Sequence, residues 1–363
     1  MIKKIKDYKL ENVYKKIING ERITVSEAKE IYNCPDPKVI GYLAHLVRKK
    51  LHSNITTYVL NQHINYTNIC VNRCKFCAFS REKDQDGAFE LTISQIKRKI
   101  EENINEPIRE IHIVGGCHPH FGLDYYVDMI KELKRLRPNA TLKCFTAVEI
   151  HHIAKISNLS VKDVLIKLKH AGLDMMPGGG AEIFDSEIRR KICPEKISGE
   201  KWLEIIETAH SLGIKTNCTM LFGHIESVEH RIHHLDKLRR LQDKTNGFIC
   251  FIPLPFLTKN SRLKIKNEIS GIEKLKTIAL ARIMLDNIPH IKSYWIMLGL
   301  KLAQAALYFG ANDFDGTVVE EKIGHMAGAT SPNVLARKEL EDMITGCGFK
   351  PVQRDGLFRF VSQ

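Results

Sequence analysis

The sequence contains no Gly-Lys pair and therefore no GxxxxGK[ST] phosphate loop. No GxGxxG opens a helix after a strand-like run, and no HExxH occurs, which removes the dinucleotide fingerprint and the usual zinc-protease helix. Pro and Gly are sparse, 12 and 23 of 363 residues, too few for a collagen-like or low-complexity chain. No repeat of fixed period and no Gly/Ser- or Pro-rich linker divides the chain. No block of five or six like charges appears, which argues against a disordered nucleic-acid arm. The N-terminal residues lack an apolar stretch and a small-residue cleavage site. The longest apolar stretch, Tyr294 to Ala311, is interrupted by Lys301 and Gln304 and reads as a buried helix with its flanks. These absences predict a cytoplasmic protein without a membrane span. Its ten cysteines are then thiols or ligands rather than disulfides.

What is present is the balance of a globular protein: 44% apolar and 27% charged residues. A net charge of +13 favours acidic partners: nucleic acid, anionic membrane, small anions or an acidic protein. Charge alone does not choose among them. The first fifty or so residues read as helical, Val39 to Lys50 being amphipathic. Eight β-type runs follow: Thr57–Asn65, Glu110–Val114, Thr141–Phe145, Leu173–Met176, Ile214–Leu221, Gly247–Ile252, Ile291–Ile296 and Ala311–Asp315. Between them lie helical patterns at Ser94–Asn105, Leu123–Arg137, Val161–Ala171, Gly199–Leu212, Val228–Asp243, Ile272–Asn287 and Gly299–Phe309, with Val334–Gly346 after the last run. The alternation predicts an α/β fold, a (β/α)8 TIM-type barrel with function at the C-terminal strand ends. An open doubly wound sheet is the alternative. The expected organisation is an N-terminal helical segment over 1–53, the barrel over 54–320 and a C-terminal extension over 321–363.

The strongest chemical signal is Cys70-Val-Asn-Arg-Cys74-Lys-Phe-Cys77, just after the first β run. Three thiols in eight residues can converge on one small inorganic group, and thiolates are the usual ligands of iron–sulfur clusters and zinc. Three ligands leave one iron of a four-iron cluster open to a small molecule. Three clustered core cysteines would be the structural alternative. A structural zinc site would want a fourth Cys or His at similar spacing, and no second CxxC exists.

CxxxCxxC with an aromatic residue, here Phe76, before the last cysteine resembles the signature of the radical S-adenosylmethionine (SAM) enzymes. That resemblance implies a radical SAM barrel and a [4Fe–4S] cluster on Cys70, Cys74 and Cys77. It also implies S-adenosyl-L-methionine as cosubstrate on the fourth iron, with Phe76 against its adenine. Gly115 and Gly116 end the second run where the family carries a GGE-like motif meeting the methionine amino group. The third position here is Cys117 rather than Glu.

Further segments resemble the menaquinone (futalosine) pathway subgroup, related to deazaflavin synthases. They are His63–Cys70, Phe145–His152, Pro177–Glu182, Thr219–His224, Phe251–Phe256, the run from Tyr294 and Asn312–Thr317. Coverage runs from about residue 40 to the C-terminus. Phe145–His152 and His325–Ala329 look most like the aminofutalosine synthases; the dehypoxanthine futalosine cyclases share the cysteine loop, PGGGAE and the GH motif. The resemblance implies a dianionic substrate, 3-[(1-carboxyvinyl)oxy]benzoate, and an acidic flavodoxin- or ferredoxin-like electron donor, and no nucleic acid. Strand-end placement adds Tyr66, Thr67, Asn68, Thr146, Gly178, Gly179, Gly180, Asn217, Asp313 and Asp315. Glu149 and Thr219 join Phe76, Gly115 and Gly116 as expected cofactor-binding residues, Glu149 holding a hydroxyl or ammonium of SAM. His224 and Glu182 are the expected catalytic residues, His224 for a substrate carboxylate or proton transfer. Each has a bland reading: Glu149 as a first-turn acid of the next helix, His224 as a structural residue, the glycine run as a plain turn.

Two other classes compete. A zinc-stabilised basic nucleic-acid-binding protein would want a second knuckle and an Arg-rich recognition helix, and neither is present. A (β/α)8 lyase using Glu149 and Glu182 for acid–base work would leave the cysteine loop unexplained.

Overall fold

The computed structural model describes residues 1–361. Four helices precede the first strand: Ile2–Asp7, Glu11–Asn19, Val25–Asn33 and Pro37–His52. Their starts are written in the sequence: Thr24 and Glu27 form a reciprocal capping box, and Pro37 occupies the first turn after Asp36, whose carboxylate accepts from the Lys38 N–H. Pro37–His52 packs on the helix Gly271–Met284, so the N-terminal segment lies against the outer helical layer.

The strands are β1 Ile55–Val59, β2 Asn61–Ile64, β3 Glu110–Ile113, β4 Thr141–Cys144, β5 Met175–Met176, β6 Lys215–Phe222, β7 Phe248–Pro255, β8 His290–Ile291, β9 Asp313–Gly316 and β10 Lys350–Arg354. β2 through β8 form one seven-stranded, all-parallel sheet in sequence order. Its strands are short and buried, as expected when helices cover the outer face. β1 and β2 are one extended segment interrupted at Leu60, and β9 pairs in parallel with β1. Bridges Lys292–Asp313 and Gln62–Val319 complete the circuit between β8, β9 and β2. The result is a curled parallel barrel whose last seam is thinly paired.

β10 lies outside the circuit. It pairs with β1 in parallel register from Ile55–Lys350 to Val59–Arg354. The C-terminal extension therefore contributes to the same sheet as the first barrel strand. Arg354 projects into a fully buried ion network: its guanidinium donates twice to Asp313 at 2.8 Å and reaches Glu110, which also pairs with Lys143. Burial works against the Glu110 carboxylate, yet Lys143 and Arg354 hold it well below the usual carboxylate range.

Three sequence expectations are corrected. The run Ile291–Ile296 is not one strand: β8 ends at Ile291, and Trp295–Leu298 is a short buried helix whose indole N–H donates to the Gly316 carbonyl. Gly299 at φ 77° then breaks the apolar stretch, and a second helix, Leu300–Ala306, follows. The helix Ala147–Ile156 was hidden by its own composition, because apolar and β-branched residues dominate it. The final helix begins at Arg337 rather than Val334. Among the described residues no helix is long and apolar enough to cross a membrane.

Candidate active site

A cavity of about 320 Å³ opens at the C-terminal ends of the barrel strands. That is within the range of small-molecule sites. The cysteine loop forms one wall: Cys70, Cys74 and Cys77 all line this cavity, as does Phe76. The loop is held from both sides. Its Cys70 N–H donates to the Arg81 carbonyl and its Lys75 N–H to the Ile192 carbonyl. The Arg262 guanidinium donates to the carbonyls of Arg73 and Cys74 at 2.6 and 3.1 Å. The Cys117 N–H points at the Cys70 sulfur at 3.4 Å. Hydrogen bonding from the Cys117 side chain, against the opposing effect of burial, brings the Cys70 thiol down to about 5. Burial pushes the neighbouring Cys74 thiol the other way, up; the thiolate is the form that ligates metal. Among the described residues no three His, Cys, Asp or Glu side chains are drawn into a cage for a single ion. The donor set of three thiols on one loop, facing one cavity, suits a larger inorganic group bridging them.

Gly115 and Gly116 follow β3 beside this loop. A Cβ at Gly115 would lie 2.7 Å from the Tyr66 ring, and one at Gly116 would collide with the Ile69 carbonyl oxygen. Only glycine lets the two loops approach this closely. Glu149 ties the corner together. Its carboxylate accepts from the Tyr66 hydroxyl at 2.8 Å, the Gly115 N–H at 3.0 Å and the Thr146 N–H at 2.7 Å. Thr146 and Glu149 form the capping box of the helix Ala147–Ile156. Glu149 borders the cavity, and three of the roughly four acceptor positions of its carboxylate are taken by protein donors. Burial raises its pKa, and the four hydrogen-bonding contacts from Thr146, Tyr66 and Gly115 oppose that rise.

Glu182 lines the cavity with left-handed backbone (φ 46°) and pairs with Lys196 at 2.6 Å. The Lys196 ammonium sits 5.0 Å from the centre of the Phe76 ring. These three side chains link the glycine loop after β5 to the cysteine loop. Thr219 also lines the cavity, and its hydroxyl donates to the Gly178 carbonyl at 2.7 Å. Gly178 packs directly on the backbone of Cys218, and Gly179 and Gly180 join it on the cavity wall. Asp315, also left-handed (φ 66°), pairs with Lys292 on the far wall.

His224 is corrected. It is not among the cavity-lining residues, and its side chain is fully buried. One ring nitrogen lies 3.1 Å from the Leu221 carbonyl, and Nδ1 accepts the Ile225 N–H at 2.7 Å. A histidine bonded this way closes a turn and has no nitrogen left for a substrate. Tyr66 and Thr67 likewise brace the loops, Tyr66 on Glu149 and Thr67 on the Phe89 carbonyl. Asn68 binds the Gly87 carbonyl and the Phe89 N–H, Asp313 belongs to the ion network, and Asn217 is buried outside the cavity wall.

Residues not singled out by the sequence also face the cavity: His63 on β2, His112 on β3, Lys143 on β4 and Lys292 after β8. The signal that could have found them is a basic side chain at the third place of a short, buried parallel strand. Glu-Ile-His-Ile and Thr-Leu-Lys-Cys are such strands, and a buried charge there needs a partner or a purpose.

Comparison with known proteins adds the family. The Radical SAM superfamily pattern matches residues 64–238, and the CofH/MqnC C-terminal region matches 245–363. The chain is 44% identical over 361 residues to the aminodeoxyfutalosine synthase of Thermus thermophilus, covering 98% of this chain and 97% of the relative. It is 40% identical over 331 residues to the 5-amino-6-(D-ribitylamino)uracil–L-tyrosine 4-hydroxyphenyl transferase of Methanopyrus kandleri, covering 90% of each. Against the cyclic dehypoxanthine futalosine synthase of Streptomyces coelicolor the identity is 36% over 349 residues, covering 95% of this chain and 87% of the relative. The crystal structure of methylornithine synthase superposes with a TM-score of 0.73 at 17% identity, covering 93% of this chain and 96% of that one, which is a likeness of fold.

Proposed function

Given that the chain belongs to the radical SAM superfamily, in its CofH/MqnC family, we propose that it catalyses the aminofutalosine synthase reaction. The adenosyl group of S-adenosyl-L-methionine is joined to 3-[(1-carboxyvinyl)oxy]benzoate. The aryl group migrates from oxygen to carbon, and one carboxyl leaves as bicarbonate. The product is 6-amino-6-deoxyfutalosine. The observation that carries this reading is the 44% identity to an aminodeoxyfutalosine synthase along nearly the whole of both chains.

The superfamily implies a [4Fe–4S] cluster and SAM. Cys70, Cys74 and Cys77 are the residues we assign to the cluster, which when bound supplies the electron that cleaves SAM. Phe76 and the backbone of Gly115 and Gly116 would border the cosubstrate beside them. Glu149 acts one step back, holding Gly115 and Tyr66 in place. Lys196 and Glu182 hold the Phe76 side of the pocket. The basic balance of the chain suits a substrate with two carboxylates and an acidic electron donor. Lys75 of the cysteine loop and Lys259, Arg262, Lys264 and Lys266 of the segment that meets it through Arg262 are all exposed, and would offer their charge to such a donor.

A second reading is supported by the Methanopyrus relative at 40% identity: transfer of a 4-hydroxyphenyl group from tyrosine to a ribitylaminouracil. One anaerobic experiment separates the two. Iron- and sulfide-reconstituted protein is given dithionite, SAM and either the enolpyruvyl benzoate or tyrosine with the ribitylaminouracil. An adenine-containing adduct formed one for one with methionine from the first pair supports the synthase. Methionine and 5′-deoxyadenosine without adduct, together with a product from the second pair, would replace it.

A further inference from the structure

The deepest part of the cavity carries a row of basic side chains that neither the cluster loop nor the glycine corner uses. His63, His112 and Lys143 are direct register partners on three adjacent strands, β2, β3 and β4. Register partners in a parallel sheet present their side chains to the same face. All three line the cavity. The two imidazoles stack with ring centres 4.6 Å apart and planes 18° from parallel.

Their bonding is incomplete. His112 Nδ1 is buried and has no hydrogen-bond partner among the described residues. His63 receives only a 3.5 Å contact from the Asn61 amide. Lys143 pairs with Glu110, which occupies one of the three N–H donors of an ammonium. Buried polar groups without partners are uncommon and cost stability; Nδ1 is the enclosed nitrogen, so a ligand in the cavity would meet Nε2, which also has no hydrogen bond among the described residues. Burial first, then the neighbouring Lys143 charge, keeps His112 well below its usual pKa, so at neutral pH it is an uncharged ring with one N–H to give. Val114, Ile252 and Leu254 give the cavity an apolar wall, and its carboxylates Asp315 and Glu321 are paired with Lys292 and His325. The complement is a flat apolar body with an anionic end that accepts hydrogen bonds.

We propose that His112 and Lys143 grip the ring carboxylate of an aryl-carboxylate substrate, with His63 stacked behind His112 to fix its ring. The proposal rests on the synthase reading for the identity of that substrate, and it adds which of the two carboxylates is seated at the barrel floor. The enol-ether end is thereby left toward the cysteine loop, where the adenosyl group is delivered. His112 and Lys143 are substrate-contacting residues in this assignment, and His63 is a positioning residue.

The test uses the reconstituted protein with SAM and two unreactive half-substrates, titrated by calorimetry. One is 3-methoxybenzoate, which has the ring carboxylate. The other is 2-phenoxyacrylate, which has only the enol-ether carboxylate. Wild-type protein is expected to bind the first, and His112→Phe to weaken it about tenfold or more. His112→Gln, which keeps an N–H, should recover part of that loss. Affinity for 2-phenoxyacrylate should not move. The melting temperature of His112→Phe should stay level or rise, since no protein partner is lost. Unchanged 3-methoxybenzoate affinity in His112→Phe would overturn the assignment. So would its absence in wild type, a loss that falls on 2-phenoxyacrylate instead, or a melting temperature lowered by many degrees. Turnover of the full enolpyruvyl benzoate by wild type is scored separately. If the benzoate seat behaves as expected while no adduct forms, the synthase reading fails and the seat stands; if adduct forms and His112→Phe binds normally, the reverse holds.

Discussion

At the scale of single residues, the chemistry of side chains decides more than their motif. His224 sits in a Gly-His pair that invites a catalytic role, yet both ring nitrogens are engaged by the chain and its side chain is fully buried. Replacing it with Ala strands the Ile225 N–H, at a cost of about 1–3 kcal/mol in stability. Chemical denaturation should show that loss, while the KM of the folded protein for SAM should be unchanged. A raised KM with normal stability would return His224 to the active site. The cysteine loop was legible because three thiols in eight residues have few other uses. His112 and Lys143 were not, because each is one of two polar letters in a four-residue strand and nothing marks it out from the other. Nothing in the sequence says that these two letters share a register; only the pairing of β3 with β4 does. Glu149 shows the remaining ambiguity: the same residue spacing serves a capping box and a ligand site, and the three protein donors around its carboxylate are visible only in the fold.

At the scale of elements, the alternation of short apolar runs and amphipathic helices was enough to give strand order, because parallel strands joined by crossover helices have little topological freedom. What the sequence could not give was strand length. β5 and β8 are two residues each, and the apolar letters that follow β8 belong to a helix packed against the barrel. The short helix Ile323–Ala327 is a further case, since it contributes Ile323, Gly324 and Ala327 to the cavity rim. It is fixed by His325, whose Nδ1 lies 3.1 Å from a Glu321 carboxylate oxygen. That hydrogen bond raises the His325 pKa to about 9. A histidine whose folded pKa lies above its unfolded value adds stability that is fully present below about pH 6.5 and disappears as pH rises through the folded pKa. Hydrogen exchange across 321–328 should therefore be slow at pH 6 and should gain an additional, pH-specific acceleration toward pH 9 beyond the intrinsic chemistry. His325→Gln should abolish the pH dependence; an identical profile in that variant would remove His325 as its source.

At the scale of the whole molecule, the barrel is held shut by residues far apart in the chain. Arg354 lies 1% exposed or less between Asp313 and Glu110, and removing one member of such a network leaves carboxylates buried without a cation. Arg354→Met should destabilise the protein by about 3–5 kcal/mol, read as a shift in the urea midpoint. A loss under about 1 kcal/mol would mean that Lys143 and Lys292 suffice alone. The charge of the whole chain makes a second prediction. If an acidic protein donor approaches the exposed lysines beside the cysteine loop, its rate of electron delivery should fall steeply with added salt. The dithionite-driven reaction should respond much less to salt, and equal salt dependence for both reductants would sink the idea.

β1 is flanked on one side by β9 and on the other by β10, so the first strand of the barrel has no neighbour on either edge until residues near 313 and 350 exist. β2 to β8 can pair in chain order, but the ring stays an open sheet with an exposed first edge until β9 is in place. Closure thus waits on segments far along the chain from β1. In the interval before it, the unpaired edge of β1 is the feature that most exposes the folding chain to aggregation.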